Sequence, residues 1–259
     1  MTFAWQGFQF GHPDDWAPSL ITGNRDEGYV RLASPEALSY QVRWKRLRTA
    51  DHRRSLDDYL SKLKRDAGKL KVKFQSTVQQ DGDSLVYRWT GAGNGRGRLA
   101  TRGERTFFLE ASSTSNRSAQ GAFQELDSSF LAEHEDHELW SLFGLAVRLR
   151  SGLAVERHLF QSGRTRVEWK DRLGRIVAER WGFGEQILEK HSFEDWAKQS
   201  MGMERAKVET SGRGLALALS RPLLKTFGLA TFDADRNQLV TVKTLSRGLR
   251  GRPEWDWLT

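Results

Sequence analysis

Apolar and polar residues alternate along much of this chain, in short bursts separated by turn residues. "GYVRLASPEALSYQVRW" (28–44) is one burst: two runs of period two flank "SPEA", a pattern that predicts strand, turn, strand. "TRVEWKDRLGRIVAERW" (165–181) repeats the arrangement around "DRLG". Shifted by 137 positions the two segments superimpose without a gap, placing Val30 on Val167, Arg43 on Arg180 and Trp44 on Trp181. Nearer the N-terminus, Gly7, Phe8 and Phe10 fall on Gly144, Leu145 and Val147, which predicts an alternating first strand in each half. After each hairpin comes a helix start. "SLDDYL" (55–60) and "SFEDWA" (192–197) both open on a Ser fit to be an N-cap and carry Asp three residues on, a variant of the capping box.

Past the helix the shift falls to 130, so that "DSLVYRW" (83–89) matches the position of "RGLALAL" (213–219) and "LAT" at 99–101 recurs at 229–231. The next strands, "TFFLEAS" (106–112) and "LVTVKTLS" (239–246), align if the second hairpin turn, "DADRNQ" (233–238), is three residues longer. Each half reads as three strands, a helix and several more strands. The first closes with an amphipathic helix over 118–133, with Phe123, Leu126 and Phe130 on one face. The second ends in "RPEWDWLT". This order predicts one domain written twice, over 1–135 and 138–259, joined at "AEHEDHE" (132–138).

Composition supports ordinary cores: 38% of the 259 residues are hydrophobic, with ten Trp and fourteen Phe. No run approaches the length of a membrane-spanning helix, and the opening "MTFAWQGFQFGHPDDW" lacks the basic and apolar stretches of a secretory signal. The absence of cysteine excludes disulfides and thiolate metal sites and fits a cytoplasmic protein. The net charge is +8. Residues 1–137 carry 20 Lys and Arg against 18 Asp and Glu, and residues 138–259 carry 21 against 15, so the basic excess lies mostly in the second half.

A short first strand in "FQFGHPDDW", a hairpin, a helix opening with Ser-x-x-Asp, further antiparallel strands and a closing helix together resemble the PsbP-like superfamily. That group includes the Ran-binding Mog protein, the photosystem II subunit P and lipoproteins of the LpqN type. "FGHPDDWAPS" (10–19) is similar to the family's opening Pro-x-x-Trp segment, whereas "VRLRSGL" (147–153) has neither the Pro nor the Trp. The resemblance implies an α/β fold, of α+β type, in which each domain is an α/β/α sandwich around an antiparallel sheet. It also implies a binding or accessory role, and a fold of this kind does not fix the partner.

Four motifs bear on chemistry. "GAGNGRG" (91–97) has the glycines of a phosphate loop, but a strand follows where such a loop needs a helix N-terminus, so a flexible hairpin is expected. His134 and His137 in "HEDH" lack the i, i+4 spacing of zinc peptidases and a third ligand, and a polar junction is expected there. The basic run at 62–73 reads as a solvated helix face. Arg247, Arg250 and Arg252, with Trp255 close behind, form the densest basic cluster and are the candidate polyanion-binding residues. Trp44, Trp89, Trp169, Trp181 and Trp196 are expected in cores.

No nucleophile elbow, cysteine nucleophile or His-Glu-x-x-His is present. Together with what the PsbP-like resemblance implies, this gives the expectation of a non-catalytic, cytoplasmic binding or accessory protein with a protein partner and no cofactor. One alternative is nucleic-acid binding through the second half. Another is an enzyme of unknown class, for which His12, His52 and His158 are the residues to place.

Overall fold

The computed structural model describes residues 1–47, 51–115, 117–132, 136–172, 174–212, 214–221 and 224–247, with backbone alone at Ser211 and Arg247. The chain divides into two compact units, Met1–Glu135 and Asp136–Thr259.

The first unit begins with a hairpin, β1 (Thr2–Trp5) and β2 (Phe8–Gly11). Then come β3 (Ala17–Gly23), β4 (Glu27–Ala33), β5 (Leu38–Arg46), helix α1 (His52–Lys69), β6 (Gln75–Asp81), β7 (Ser84–Thr90), β8 (Asn94–Arg102), β9 (Arg105–Ser113) and helix α2 (Gln120–Ser129). Strands β3 to β9 form one antiparallel sheet in the order β3-β4-β5-β9-β8-β7-β6. Period-two alternation sends its side chains to two buried faces. On one face α1 packs Leu56 and Leu60 against Leu85, Tyr87 and Leu99. On the other, Phe8 of the hairpin stands 5.0 Å from Trp44 and 5.7 Å from Phe107, and Phe130 at the end of α2 closes on the same rings.

The second unit runs β10 (His137–Leu142), β11 (Leu145–Arg150), β12 (Ala154–Gln161), β13 (Arg164–Lys170), β14 (Gly174–Gly182), α3 (Gly184–Leu188), α4 (Phe193–Met201), β15 (Lys207–Ser211), β16 (Gly214–Arg221), β17 (Leu224–Asp233) and β18 (Gln238–Arg247). Its sheet order is β12-β13-β14-β18-β17-β16-β15, the order of the first sheet again. Trp196, Ala197 and Met201 of α4 pack on Leu217, Ala230 and Leu239. The β10–β11 hairpin covers the opposite face, with Trp140 edge-on to Trp169 at 5.3 Å. Both hairpins turn through two residues of positive φ, Gln6–Gly7 and Phe143–Gly144, the signature of a tight turn matched to strand twist.

The expected antiparallel sheet is present in each unit, but the chain is mainly β rather than an even α/β sandwich. Antiparallel strand dominates, and five strands rather than three precede the helix in each unit. The strands missed by the sequence reading include β3 and β12, whose polar edge positions lack a clear hydrophobic period. In the second unit a hairpin, not a helix, covers the face away from α4 among the described residues.

The gapless superposition of 28–44 on 165–181 also fails after the turn. Four residues link β4 to β5 and three link β13 to β14, so Val30 pairs with Val42 while Val167 pairs with Ala178. A one-residue slip sends a side chain to the other face. Trp44 thus lies on the hairpin face, its Nε1 donating to the Asn24 carbonyl at 2.8 Å, whereas Trp181 lies on the α4 face. The two tryptophans do not correspond. The "LAT" match slips likewise: Leu99 joins the α1 core, while Leu229 lies beside Val242 on the hairpin side. The β17–β18 connection is four residues against two in β8–β9, a difference of two and not three.

Ser55 is not an N-cap. Helix α1 starts a turn earlier, where the Asp51 carboxylate accepts the Arg54 N–H at 2.9 Å. Ser192 does cap α4, accepting the Asp195 N–H at 3.1 Å and donating to its carboxylate at 2.7 Å. The predicted 118–133 helix is confined to Gln120–Ser129, with Phe123 and Leu126 buried.

Candidate binding face

Helix α1 lies over β7 and β8, and on the same sheet face of β4 and β5 Arg31 and Arg43 are exposed while Tyr29 and Gln41 are half-buried. Between these regions sits Glu110, in the middle of β9 and only 1% exposed. Its neighbours in register are Gly97 on one side and Gln41 on the other. An isolated buried carboxylate is costly unless hydrogen bonds replace its water. Three donors do so here: the Tyr87 hydroxyl at 2.8 Å, Trp89 Nε1 at 3.1 Å, and the Tyr59 hydroxyl at 2.9 Å from both oxygens. Burial pushes the Glu110 carboxyl above its ordinary range, against the pull of these donors and of the Arg43 charge. Burial, with the Glu110 charge beside them, holds the Tyr59 and Tyr87 hydroxyls firmly protonated.

The glycine-rich stretch makes this cluster possible. Gly91 and Gly93 form the turn, with Gly91 N–H bonded to the Gly93 carbonyl at 2.8 Å, and strand β8 begins at Asn94. Gly95 and Gly97 lie beyond the turn, inside β8. A Cβ at Gly97 would stand 2.2 Å from the Tyr87 hydroxyl, and one at Gly95 2.4 Å from Trp89 Nε1. The glycines let both rings cross β8 toward the Glu110 carboxylate, a close approach no larger residue permits. The motif is a ring-crossing site and not a phosphate loop.

Beside Glu110, on the open part of the face, stands Arg43. Its guanidinium carbon lies 5.2 Å from the Tyr29 ring centre, 5.1 Å from Tyr59 and 5.8 Å from Phe108. Arg43 donates to Gln41 Oε1 at 3.3 Å, the same oxygen that takes the Tyr29 hydroxyl at 2.9 Å. Cation–π contact and the shared amide fix the guanidinium in place. Arg43 is exposed and has no ion pair among the described residues, and the same holds for Arg31, which faces Gln41 across the strand pair.

The second sheet treats the corresponding region differently. Lys243 occupies the position that Glu110 holds in the first sheet, opposite Gly228 as Glu110 is opposite Gly97. Lys243 Nζ donates to the Met201 carbonyl at 2.6 Å, and burial lowers its pKa. Gly228 makes room for Met201, whose Sδ lies 2.7 Å from where a Cβ would be. On the open side Arg164 stacks on Trp181 at 4.2 Å, but it also pairs with Glu179 at 2.8 Å. Arg166 bridges Glu179 and Glu168, and Arg175 reaches Glu156 at 2.7 Å. Here carboxylates of the same sheet neutralise the arginines.

The residues singled out from sequence fall elsewhere. Arg247 ends β18, paired in register with Leu224, and its side chain lies outside the described residues, as do Arg250, Arg252, Trp255 and Trp257. His134 is outside them too, while His137 is exposed at the start of β10. No group of three or more His, Asp or Glu among the described residues is arranged to hold a metal. His12 bonds to the Pro13 carbonyl at 2.8 Å, His52 to the Thr101 hydroxyl at 2.9 Å, and His158 stacks on Phe160 at 4.8 Å. Each is engaged by a neighbour within its own unit. Trp44, Trp169 and Trp196 are buried, while Trp89 and Trp181 are partly so. No described helix is long and apolar enough to cross a membrane.

Neither Glu110 nor Arg43 was marked by sequence reasoning. The available signal was slight: a single carboxylate inside the apolar run "TFFLEA", and an arginine between aromatic strand residues. No family model matches this chain, and no curated protein matches it.

Proposed function

We propose that the protein is a non-catalytic binding protein that engages a protein partner through the face bearing Tyr29, Arg31, Gln41, Arg43 and Tyr59. The observation that carries this reading is Arg43: exposed, held by three aromatic rings, and without an ion pair among the described residues, the nearby Glu110 carboxylate being taken up by Tyr59, Tyr87 and Trp89. A guanidinium ordered in advance loses little freedom on binding, and its fork matches a carboxylate in two parallel hydrogen bonds. Tyrosine and arginine are also the residues that dominate protein interfaces. The partner's contribution is an acidic side chain set in an apolar or aromatic surround. Glu110 serves the face from beneath, by fixing the Tyr59 ring on which Arg43 lies.

The kinship proposed alongside is a duplicated domain of PsbP-like type. The shared strand order, the two positive-φ hairpin turns and the matched Gly97–Glu110 and Gly228–Lys243 pairs support duplication. In this reading the first copy keeps an open arginine face, and the second has closed its own with Glu179 and Glu168. Capture of binding proteins with wild type and Arg43→Gln tests the function: partners that use this face are lost with the substitution, and an unchanged set rejects it.

A further inference from the structure

Each seven-stranded sheet has two edge strands, and the row of unpaired N–H and C=O groups on an edge accepts another chain unless something blocks it. Three of the four edges carry such a block. Strand β3 contains Pro18 and shifts register between Pro18 and Leu20. Strand β12 shifts between Val155 and Arg157 and bears the charges of Glu156 and Arg157. Strand β15 has only five residues, among them Lys207 and Glu209. Strand β6 has none of these devices. Its seven residues, "QSTVQQD", pair with β7 from Gln75↔Thr90 to Asp81↔Ser84 without a shift, and all but Val78 are exposed. The single charge in the strand, Asp81, is taken up by Arg98 at 2.8 Å.

The turn after β6 sets which backbone groups are open. Gly82, at φ 56°, and Asp83 form a two-residue connection, so Asp81 and Ser84 are a hydrogen-bonded pair. Bonded and non-bonded pairs alternate along an antiparallel ladder. Gln75, Thr77, Gln79 and Asp81 therefore spend their backbone groups on β7, while Ser76, Val78 and Gln80 point theirs outward. The two ends of this row differ in charge. Lys71 and Lys73 precede it, and Asp81 and Asp83 close it. Lys73 and Asp83 are exposed and have no ion pair among the described residues. Leu70 and Val72 stand exposed at the basic end.

The geometry points to a second copy of this chain as the occupant of this edge, its own β6 paired antiparallel about a two-fold axis through Val78. In that register Ser76 meets Gln80 of the second copy, Val78 meets Val78 and Gln80 meets Ser76, each pair exchanging both backbone bonds. Gln75 comes opposite Asp81 and Thr77 opposite Gln79, so no like charges face each other. The basic start of each strand meets the acidic end of the other, which brings Lys73 of one copy to Asp83 of the second at both ends of the pairing. Parallel addition would set like ends together. A foreign strand gains its specificity from pockets for alternate side chains, whereas β6 offers exposed Gln, Ser and Thr and a charge pattern that the chain itself complements. Because each copy uses its edge once, the assembly closes at two chains.

Light scattering of the full chain across about 1–200 µM, in about 0.15 M salt to screen the net charge, tests this. Wild type should pass from the mass of one chain to that of two. Lys73→Glu and Asp83→Lys each turn both end contacts into repulsions, and each alone should weaken association by roughly tenfold or more. Mixed in equal amounts, the two variants regain unlike contacts at both ends, and association should return to about the wild-type level. Ser76→Pro removes an outward N–H and no bond to β7, so it should leave a folded single chain, its fold read by circular dichroism. If Ser76→Pro does not fold, the two charge variants, at exposed positions, decide. A single-chain mass for wild type at every concentration, masses beyond two chains, association unchanged in either charge variant, or no recovery on mixing overturns the proposal.

Discussion

Gly97→Ala tests the packing on which the Glu110 cluster depends. The new methyl would lie 2.2 Å from the Tyr87 hydroxyl, 2.3 Å from its ring carbon and 2.4 Å from the Leu109 carbonyl oxygen. The carbonyl belongs to the strand ladder and cannot retreat, so the Tyr87 ring must. Overpacking of this kind costs about 1–3 kcal/mol. Displacing the ring also removes a hydrogen bond to a buried carboxylate, worth roughly 1.5–3 kcal/mol. The expected destabilisation is therefore about 3–5 kcal/mol, read as the loss of unfolding free energy in urea followed by tryptophan fluorescence. Because the clash is with the ring as well as the hydroxyl, Tyr87→Phe should not relieve it. Tyr87→Leu, the residue found opposite Gly228 in the second sheet, should. Gly97→Ala with Tyr87→Leu should cost less than the sum of the two single changes by at least about 1 kcal/mol. Gly68→Ala, in α1 with open space around it, is the control and should stabilise by about 0.5–1 kcal/mol. A Gly97→Ala protein within about 0.5 kcal/mol of wild type, the scatter of neutral surface changes, would refute the ring-crossing account.

The remaining expectations concern charge and capping. Folding raises the Glu110 pKa above its ordinary 4.5, so in the window above that value the native state binds more protons than the unfolded chain. Stability should fall as pH rises from about 4.5 through the raised value, and Glu110→Gln should remove that part of the slope in urea titrations at stepped pH. Asp51→Ala should cost about 1 kcal/mol through loss of the α1 cap, while Ser55→Ala, on an exposed helical position, should change stability little, both read from thermal unfolding.

The central hairpins, the helix that follows each and the Ser192 cap were legible because strands and helices print different periods and capping is local chemistry, but two of the five strands before each helix were not. Nor was register. In β5 the residues Tyr40, Val42 and Trp44 face one layer while Gln41 and Arg43 face another that is also flanked by aromatics. With rings on both sides, the pattern does not say which residues of the two halves correspond, and a turn shorter by one residue then passes unnoticed. The capping reading failed at Ser55 for a related reason. Several residues near a helix start carry suitable oxygens, and which one stops the helix depends on where the preceding strand delivers the chain. The glycines of 91–97 read as a turn, which is true of Gly91 and Gly93 only, Gly95 and Gly97 lying inside β8. The role of Gly95 and Gly97 depends on Tyr87 and Trp89, which become their neighbours only through strand pairing. The Arg43 face arises in the same way, from Tyr29, Gln41, Tyr59 and Phe108 on four elements brought together by the sheet and α1.

The central claim is that the open arginine face binds a protein, and one measurement bears on it most directly. Wild-type protein and Arg43→Gln are immobilised in parallel, exposed to the same nuclease-treated lysate, and the bound material is quantified by mass spectrometry. The affinity of the leading partner is then determined for both forms. Arg43 is exposed and makes no ion pair among the described residues, so the variant should fold normally and lose only binding. The account predicts a partner whose affinity drops by roughly tenfold or more with Arg43→Gln, the loss typical of a charged interfacial contact. Partners retained equally by both forms, or no protein retained by wild type from the nuclease-treated lysate, would contradict it.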